Sequence, residues 1–298
     1  MSESSYWDLH EHAAAALLHG KLAEAEEAFA LSQGRARAIR RPGLADRAYC
    51  NWAAVRLERS GPEGLRAGLS RILGESSDPK ARRLAAYNLA TWYRSLGNSR
   101  VAAFYAEMAG RLAAEQKDAS AQASSLHLRS LLALGQSRLE SARDCLRKSL
   151  AIRLRQEMSV HAVITISTYG YCATLLEDVA ESFWLLDEAQ AALEQLPCGI
   201  YEPSIRLSLG FAYLERGECE EALDQGRMVL TVMEGLRAPG EDKFARYLIG
   251  EALAQKGDVD EALHHFDILQ KTFFPQHPEL PELLVSVRTS HWLNWLGC

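Results

Sequence analysis

No run of about 18 apolar residues occurs in this 298-residue chain, so no transmembrane helix is expected. Proline is scarce, at nine residues, and clusters of β-branched residues are few, which argues against an all-β fold. The six cysteines are Cys50, Cys145, Cys172, Cys198, Cys219 and Cys298. None forms a C-x-x-C pair, so they read as reduced, mostly buried thiols rather than a metal knuckle or redox motif. The chain holds no G-x-x-x-x-G-K-S/T phosphate loop, no G-x-G-x-x-G turn and no G-x-S-x-G elbow. Net positive charge is lacking too: the balance of −6 argues against a general nucleic-acid binder. The opening MSESSYWDLHEH is acidic and polar, unlike a signal peptide, so a cytoplasmic location is expected.

What the chain does have is Ala, Leu, Glu and Arg, with 48% hydrophobic and 24% charged residues, a composition that favours helix nearly throughout. The stretch Gly250 to Phe266, GEALAQKGDVDEALHHF, reads as helix, tight turn and helix. Gly257 ends the first helix, because glycine enters the left-handed cap conformation without steric cost. Asp258 is expected to cap the second helix through its carboxylate. Gly250 admits a close partner helix, and Phe266 fills the remaining space. The same punctuation recurs at Gly20, Gly61, Gly97, Gly135, Gly217 and Gly257, with Glu177 standing where a glycine is missing. Seven helix-turn-helix repeats follow, near 6–42, 43–78, 79–117, 118–158, 159–198, 199–238 and 239–275, each of roughly 36 to 42 residues. The second and fourth are irregular: PEGLRAGLSRIL is short, and two extra residues precede Ala142.

Residues such as Leu209, Gly210, Tyr213, Gly217 and Ala222, and then Gly250, Gly257, Ala262, Phe266 and Pro275, carry an L-G-x-x-Y…G…A-x-x-x-F…P pattern. This pattern resembles the tetratricopeptide repeat. The long period makes it similar to the arrays of kinesin light chains and bacterial signal-transduction regulators. Pentatricopeptide repeats are a related alternative that the acidic balance disfavours. The resemblance implies an all-α solenoid, a right-handed superhelix in which the first helix of each repeat lines a concave groove. Residues 276–298 are expected to form a C-terminal capping helix. Leu283, Leu284, Val287, Trp292 and Leu296 would cover the last repeat, with Trp292, Trp295 and Cys298 suggesting a docking or homodimer surface instead.

Catalytic chemistry is not legible. His10, His12 and His19 do not match H-E-x-x-H, and no third ligand stands near them. His264 and His265 are adjacent and read as surface or packing residues. Cys145 lies near Arg143 and Arg147, which would lower a thiol pKa, although a buried inert thiol is the plainer reading. The cluster Arg35, Arg37, Arg40 and Arg41 reads as a solvated helix end. No catalytic residue, cofactor or metal is assigned.

The residues offset from each first helix's packing face point, on this reading, into the groove. They are Trp7, His10 and Leu17; Asn51, Val55 and Glu58; Tyr87, Thr91 and Arg94; Ser125 and Arg129; Ser167 and Tyr171; Leu207, Phe211 and Leu214; Tyr247 and Glu251. Asn51, Tyr87, Arg94, Arg129, Tyr171, Phe211, Tyr247 and Glu251 are the candidate binding residues, since aromatic rings and arginine most often anchor interfaces. Asn51 occupies a carboxylate-clamp-like place, but the lysines of that clamp are missing. The expected role is a non-enzymatic adaptor holding a protein or peptide with an acidic or apolar segment, and no nucleic acid or membrane. The alternatives are a peptide-sensing regulator acting on a separate effector, and a regulatory subunit of an enzyme encoded elsewhere.

Overall fold

A computed structural model describes residues 3–155, 159–236 and 242–287. All regular elements among these residues are helical. They run as consecutive pairs: α1 (Ser4–Leu18) with α2 (Leu22–Ala38), α3 (Pro42–Ser60) with α4 (Leu65–Glu75), and α5 (Pro79–Ser95) with α6 (Ser99–Glu115). Then come α7 (Ala119–Leu134) with α8 (Leu139–Arg153), α9 (Val160–Leu175) with α10 (Val179–Leu193), α11 (Glu202–Glu215) with α12 (Cys219–Leu236), and α13 (Asp242–Lys256) with α14 (Val259–Phe273). A short α15 (Leu280–Ser286) follows, and a 3-10 turn at Gly199–Tyr201 precedes α11.

The turns explain why the pairs repeat. Gly97, Ser137, Glu177, Gly217 and Gly257 all have positive φ, from 54° to 93°, and they stand 40 positions apart. At each, two hydrogen bonds close the preceding helix. For Gly217 these are Gly217 N–H to Leu214 C=O, 3.0 Å, and Glu218 N–H to Tyr213 C=O, 2.9 Å. For Glu177 they are 3.0 Å to Thr174 and, from Asp178, 2.9 Å to Ala173. The fourth turn corrects the sequence reading: Ser137, not Gly135, takes the left-handed conformation, with φ 54°. Its register is set by the bond from Arg138 N–H to Ala133 C=O, 2.9 Å, not by the nearest glycine. A second correction concerns Asp258, whose side chain makes no cap hydrogen bond and lies instead 3.6 Å from Lys256 Nζ. Carboxylate caps do form elsewhere, as at Asp78, which accepts from Lys80 N–H and Ala81 N–H at 2.9 and 3.0 Å.

Small residues bring the helices together. A Cβ on Gly250 would stand 2.5 Å from Phe266 Cε1, so the fully buried Phe266 ring lies directly on the α13 backbone. Gly170 meets Leu186 in the same way, at 2.7 Å. Burying one such side chain contributes about 1.5–3 kcal/mol. In the short α4, Gly68 makes room for the Tyr49 hydroxyl from α3.

The chain divides into two compact units. Unit 1 comprises Met1–Leu132, Lys148–Glu157 and Pro197–Ile200, and unit 2 comprises Ala133–Arg147, Met158–Leu196 and Tyr201–Cys298. In unit 1, Leu65, Leu69, Ile72, Ala81, Ala85 and Leu89 form a core between the second and third pairs. Gly199 also belongs there; a Cβ on it would stand 2.5 Å from the carbonyl oxygens of Leu17 and Leu18. Of the expected capping helix, only α15 is described. It packs on α14, with Leu284 5% exposed but Leu283 50% exposed. Trp292, Trp295, Leu296 and Cys298 lie outside the described residues.

Candidate functional site

The first helices of unit 1 place their offset residues unequally. On α1, His10 is wedged among Tyr6, Trp7 and Phe29, with ring centroids 6.0, 5.8 and 5.5 Å away. Its Nε2 accepts from Asn51 Nδ2 on α3 at 2.9 Å, so Asn51 and His10 do meet. Burial, followed by nearby Lys80, holds the His10 pKa below its ordinary value, consistent with a neutral acceptor ring. Val55 and Ser125 are buried packing residues. Thr91 donates to the Tyr87 carbonyl along its own helix, 3.3 Å.

Beyond these lies a polar group with a different character. Glu58, near the end of α3, remains open to solvent, yet burial raises its carboxyl pKa, with the Arg94 guanidinium acting the other way. Tyr87 on α5 is half-buried; burial raises its hydroxyl pKa, while Arg153 and Arg94 lower it and Glu58 raises it again. These four groups therefore share one field. Arg94 Nε is buried and has no hydrogen-bond partner among the described residues. Such a buried unpaired donor costs about 1–3 kcal/mol. Arg129, one pair further on, is exposed.

Several cross-helix charges elsewhere in unit 1 are paired. Arg47 lies 2.7 Å from Asp78, Arg71 is 3.0 Å from Asp46, Arg83 is 2.9 Å from Asp118, and Arg56 is 3.0 Å from Glu26. Arg41, from the basic cluster at the end of α2, pairs with Glu3 at 2.8 Å.

In unit 2 the offset residues are enclosed. Tyr171, Phe211 and Tyr247 are 1%, 1% and 6% exposed. Their rings form a row with Phe266, at centroid spacings of 6.4, 6.1 and 6.3 Å. Glu251 and Leu207 are also buried, as is Ser167, whose hydroxyl donates to Ile164. The sequence pattern placed these positions on one helix face; it carried no signal of how deeply that face is covered.

Other candidate chemistry meets plain surroundings. The Cys172 thiol is pushed up to about 12 by burial, and the Cys50 thiol is also raised by burial. Arg143 and Arg147, read as activators of Cys145, are engaged with Glu140 and Asp144 at 3.0 and 3.3 Å. Among the described residues, no group of three or more His, Cys, Asp or Glu side chains is placed to hold a metal. No described helix is long and apolar enough to cross a membrane.

The repeated pairs and their turns match solved structures. A Rap protein complexed with competence and sporulation factor superposes over 97% of this chain and 79% of its own, with TM-score 0.68 at 10% identity. The chain has the tetratricopeptide-repeat fold. A tetratricopeptide repeat protein from Parabacteroides merdae aligns over 97% of this chain and all of its own, with TM-score 0.55 and 16% identity. The apo form of RapI covers 89% of this chain and 76% of its own, with TM-score 0.53 and 12% identity. No family model and no curated protein matches the sequence.

Proposed function

We propose that the chain is a non-enzymatic interaction scaffold that holds a protein or peptide segment against the first helices of its pairs. The observation that carries this reading is the set Glu58, Tyr87 and Arg94 with Arg129: polar groups on α3, α5 and α7 that look outward from their helices. Of these, the buried Arg94 Nε donor is the one that a protein interior would ordinarily pair. Arginine and tyrosine are also the side chains that most often dominate binding energy. Asn51 lies two turns earlier on α3 than Glu58 and is bonded to His10, while Tyr171, Phe211, Tyr247 and Glu251 belong to the corresponding helices of unit 2. The similarity to a Rap protein complexed with competence and sporulation factor supports ligand capture by this fold. It equally favours a second reading, a peptide-responsive regulator that acts on a separate effector.

Charge reversal at two positions tests the proposal. Arg94→Glu with Arg129→Glu lowers affinity for a co-purified partner by on the order of 100-fold in calorimetry, the loss expected when two charge-assisted contacts become repulsive. Unchanged affinity overturns the proposal.

A further inference from the structure

The ends of α9, α10 and α11 in unit 2 border a recess of about 360 Å³. Its volume is at the low end for a ligand pocket, enough for one side chain of a partner rather than a folded element. Thr174 and Leu175 close α9, Val179 and Ser182 stand in the first turn of α10, and Glu215 and Arg216 end α11. Glu177, in the turn between α9 and α10, completes the lining. The polar walls mostly accept hydrogen bonds. Thr174 Oγ1 donates its one proton to the Gly170 carbonyl at 3.0 Å, so the 2.6 Å bond between Thr174 Oγ1 and Ser182 Oγ uses the Ser182 proton. Both hydroxyls are left with lone pairs alone. The Glu177 and Glu215 carboxylates, too, only accept. Arg216 is the donor among these side chains, and it is engaged. Its Nε and Nη2 bond Glu218 Oε1 at 2.9 and 2.6 Å, and its Cζ lies 3.4 Å from the Phe183 ring centroid. An anion entering here meets two carboxylates, and the guanidinium that would attract it already holds a third. Leu175 and Val179 supply apolar wall.

We propose that this recess takes one basic side chain of a protein partner, a lysine or an arginine. Such a cation has donors and no acceptor, which complements the walls. Its aliphatic stem lies along Leu175 and Val179, and its head reaches the Glu177 and Glu215 carboxylates and the hydroxyl oxygens. Arg216, held by Glu218 and Phe183, stays in place as a wall. The net charge of −6 favours the approach of a basic segment. The recess belongs to unit 2, so it adds a contact beyond the unit 1 face proposed above and does not depend on it.

Blocked tripeptides, acetyl-Leu-X-Leu-amide with X as Lys, Arg, norleucine or Glu, are titrated into the full chain labelled at its Leu and Val methyls. The NMR signals of Leu175 and Val179 report binding at the recess itself. The Lys or Arg peptide shifts both signals with an affinity at least about 10-fold above that of the norleucine peptide, the difference one charge-assisted contact makes, and the Glu peptide shifts neither. The tighter of the Lys and Arg peptides identifies the head group. Glu215→Gln and Glu177→Gly each bring the preference below about 3-fold. The second variant relieves a left-handed side chain, so its loss of binding is not a loss of fold. Equal binding of the Lys, Arg and norleucine peptides, tighter binding of the Glu peptide, or a preference unchanged in both variants overturns the proposal. So does silence of the Leu175 and Val179 methyls with every peptide at about 10 mM, a concentration that detects even a weak single contact. Each of these results leaves the unit 1 reading standing. Should a variant not fold, the wild-type comparison among the peptides still decides.

Discussion

At the scale of single residues, the clearest sensor of this architecture is His265. Its Nδ1 is buried without a hydrogen-bond partner, and burial, followed by Arg246, His264 and Arg227, pushes its pKa from an ordinary 6.5 to about 4. A folded-state pKa below the unfolded value means that the neutral ring is the one the fold accepts. The stability it protects is therefore complete above about pH 6.5 and declines as pH falls toward 4, by at most about 3 kcal/mol. Urea midpoints at pH 7.5 and 4.5 check this: His265→Leu should narrow the gap between them. Two glycines give a sharper contrast. Gly34 lies within α2 with nothing inside 4 Å of an added Cβ, so Gly34→Ala should stabilise by about 0.5–1 kcal/mol through helix propensity. Gly250→Ala drives a methyl into the Phe266 ring and should cost about 1–3 kcal/mol. Thermal melts of the two variants ought to move in opposite directions. The Gly250–Phe266 contact was legible from spacing alone, because two residues on facing helices of a hairpin have few other places to go.

At the scale of elements, the unit of construction is a helix closed by a left-handed residue. Where that residue is glycine, the conformation is free of steric cost; at Ser137 and Glu177 it is not. Ser137→Gly and Glu177→Gly should each stabilise by about 1 kcal/mol. Gly217→Ala should destabilise by a similar amount, and since no atom lies within 4 Å of the added Cβ, the penalty is conformational alone. Chemical denaturation curves with unchanged slope would verify all three. Glu177 was readable as a stand-in for glycine because the gap from Gly135 to Gly217 is about two repeat lengths and Glu177 stands near its middle. Ser137 was not, because Gly135 stands two residues away and offered a false mark; only the hydrogen bond from Arg138 to Ala133 reveals the register. Asp258 shows the same limit. A cap residue at the right position in sequence does not cap when its carboxylate turns to a lysine, here Lys256.

At the scale of the whole molecule, the fold was legible because a repeated pattern states its packing rule many times over. The surface was less so. Helical offset placed Tyr87, Arg94, Tyr171, Phe211 and Tyr247 on equivalent faces, yet Tyr171, Phe211 and Tyr247 are nearly fully enclosed. Periodicity gives direction, whereas burial depends on what lies opposite, and that is a matter of three-dimensional packing. Glu58 was named by the same offset rule and is exposed near the end of α3, whereas Arg94 keeps a buried Nε donor that only the packing reveals. The central claim is that the first-helix face of unit 1 grips another molecule. Site-specific photocrosslinking in the native host tests it most directly, with a benzophenone side chain placed at position 87 or, on the second helix α6, in place of the 54%-exposed Phe104. The account predicts discrete adducts from position 87 that vanish when Arg94→Glu is added, and none that depend on Arg94 from position 104. Adducts arising only from position 104, or indifferent to Arg94→Glu, would contradict it.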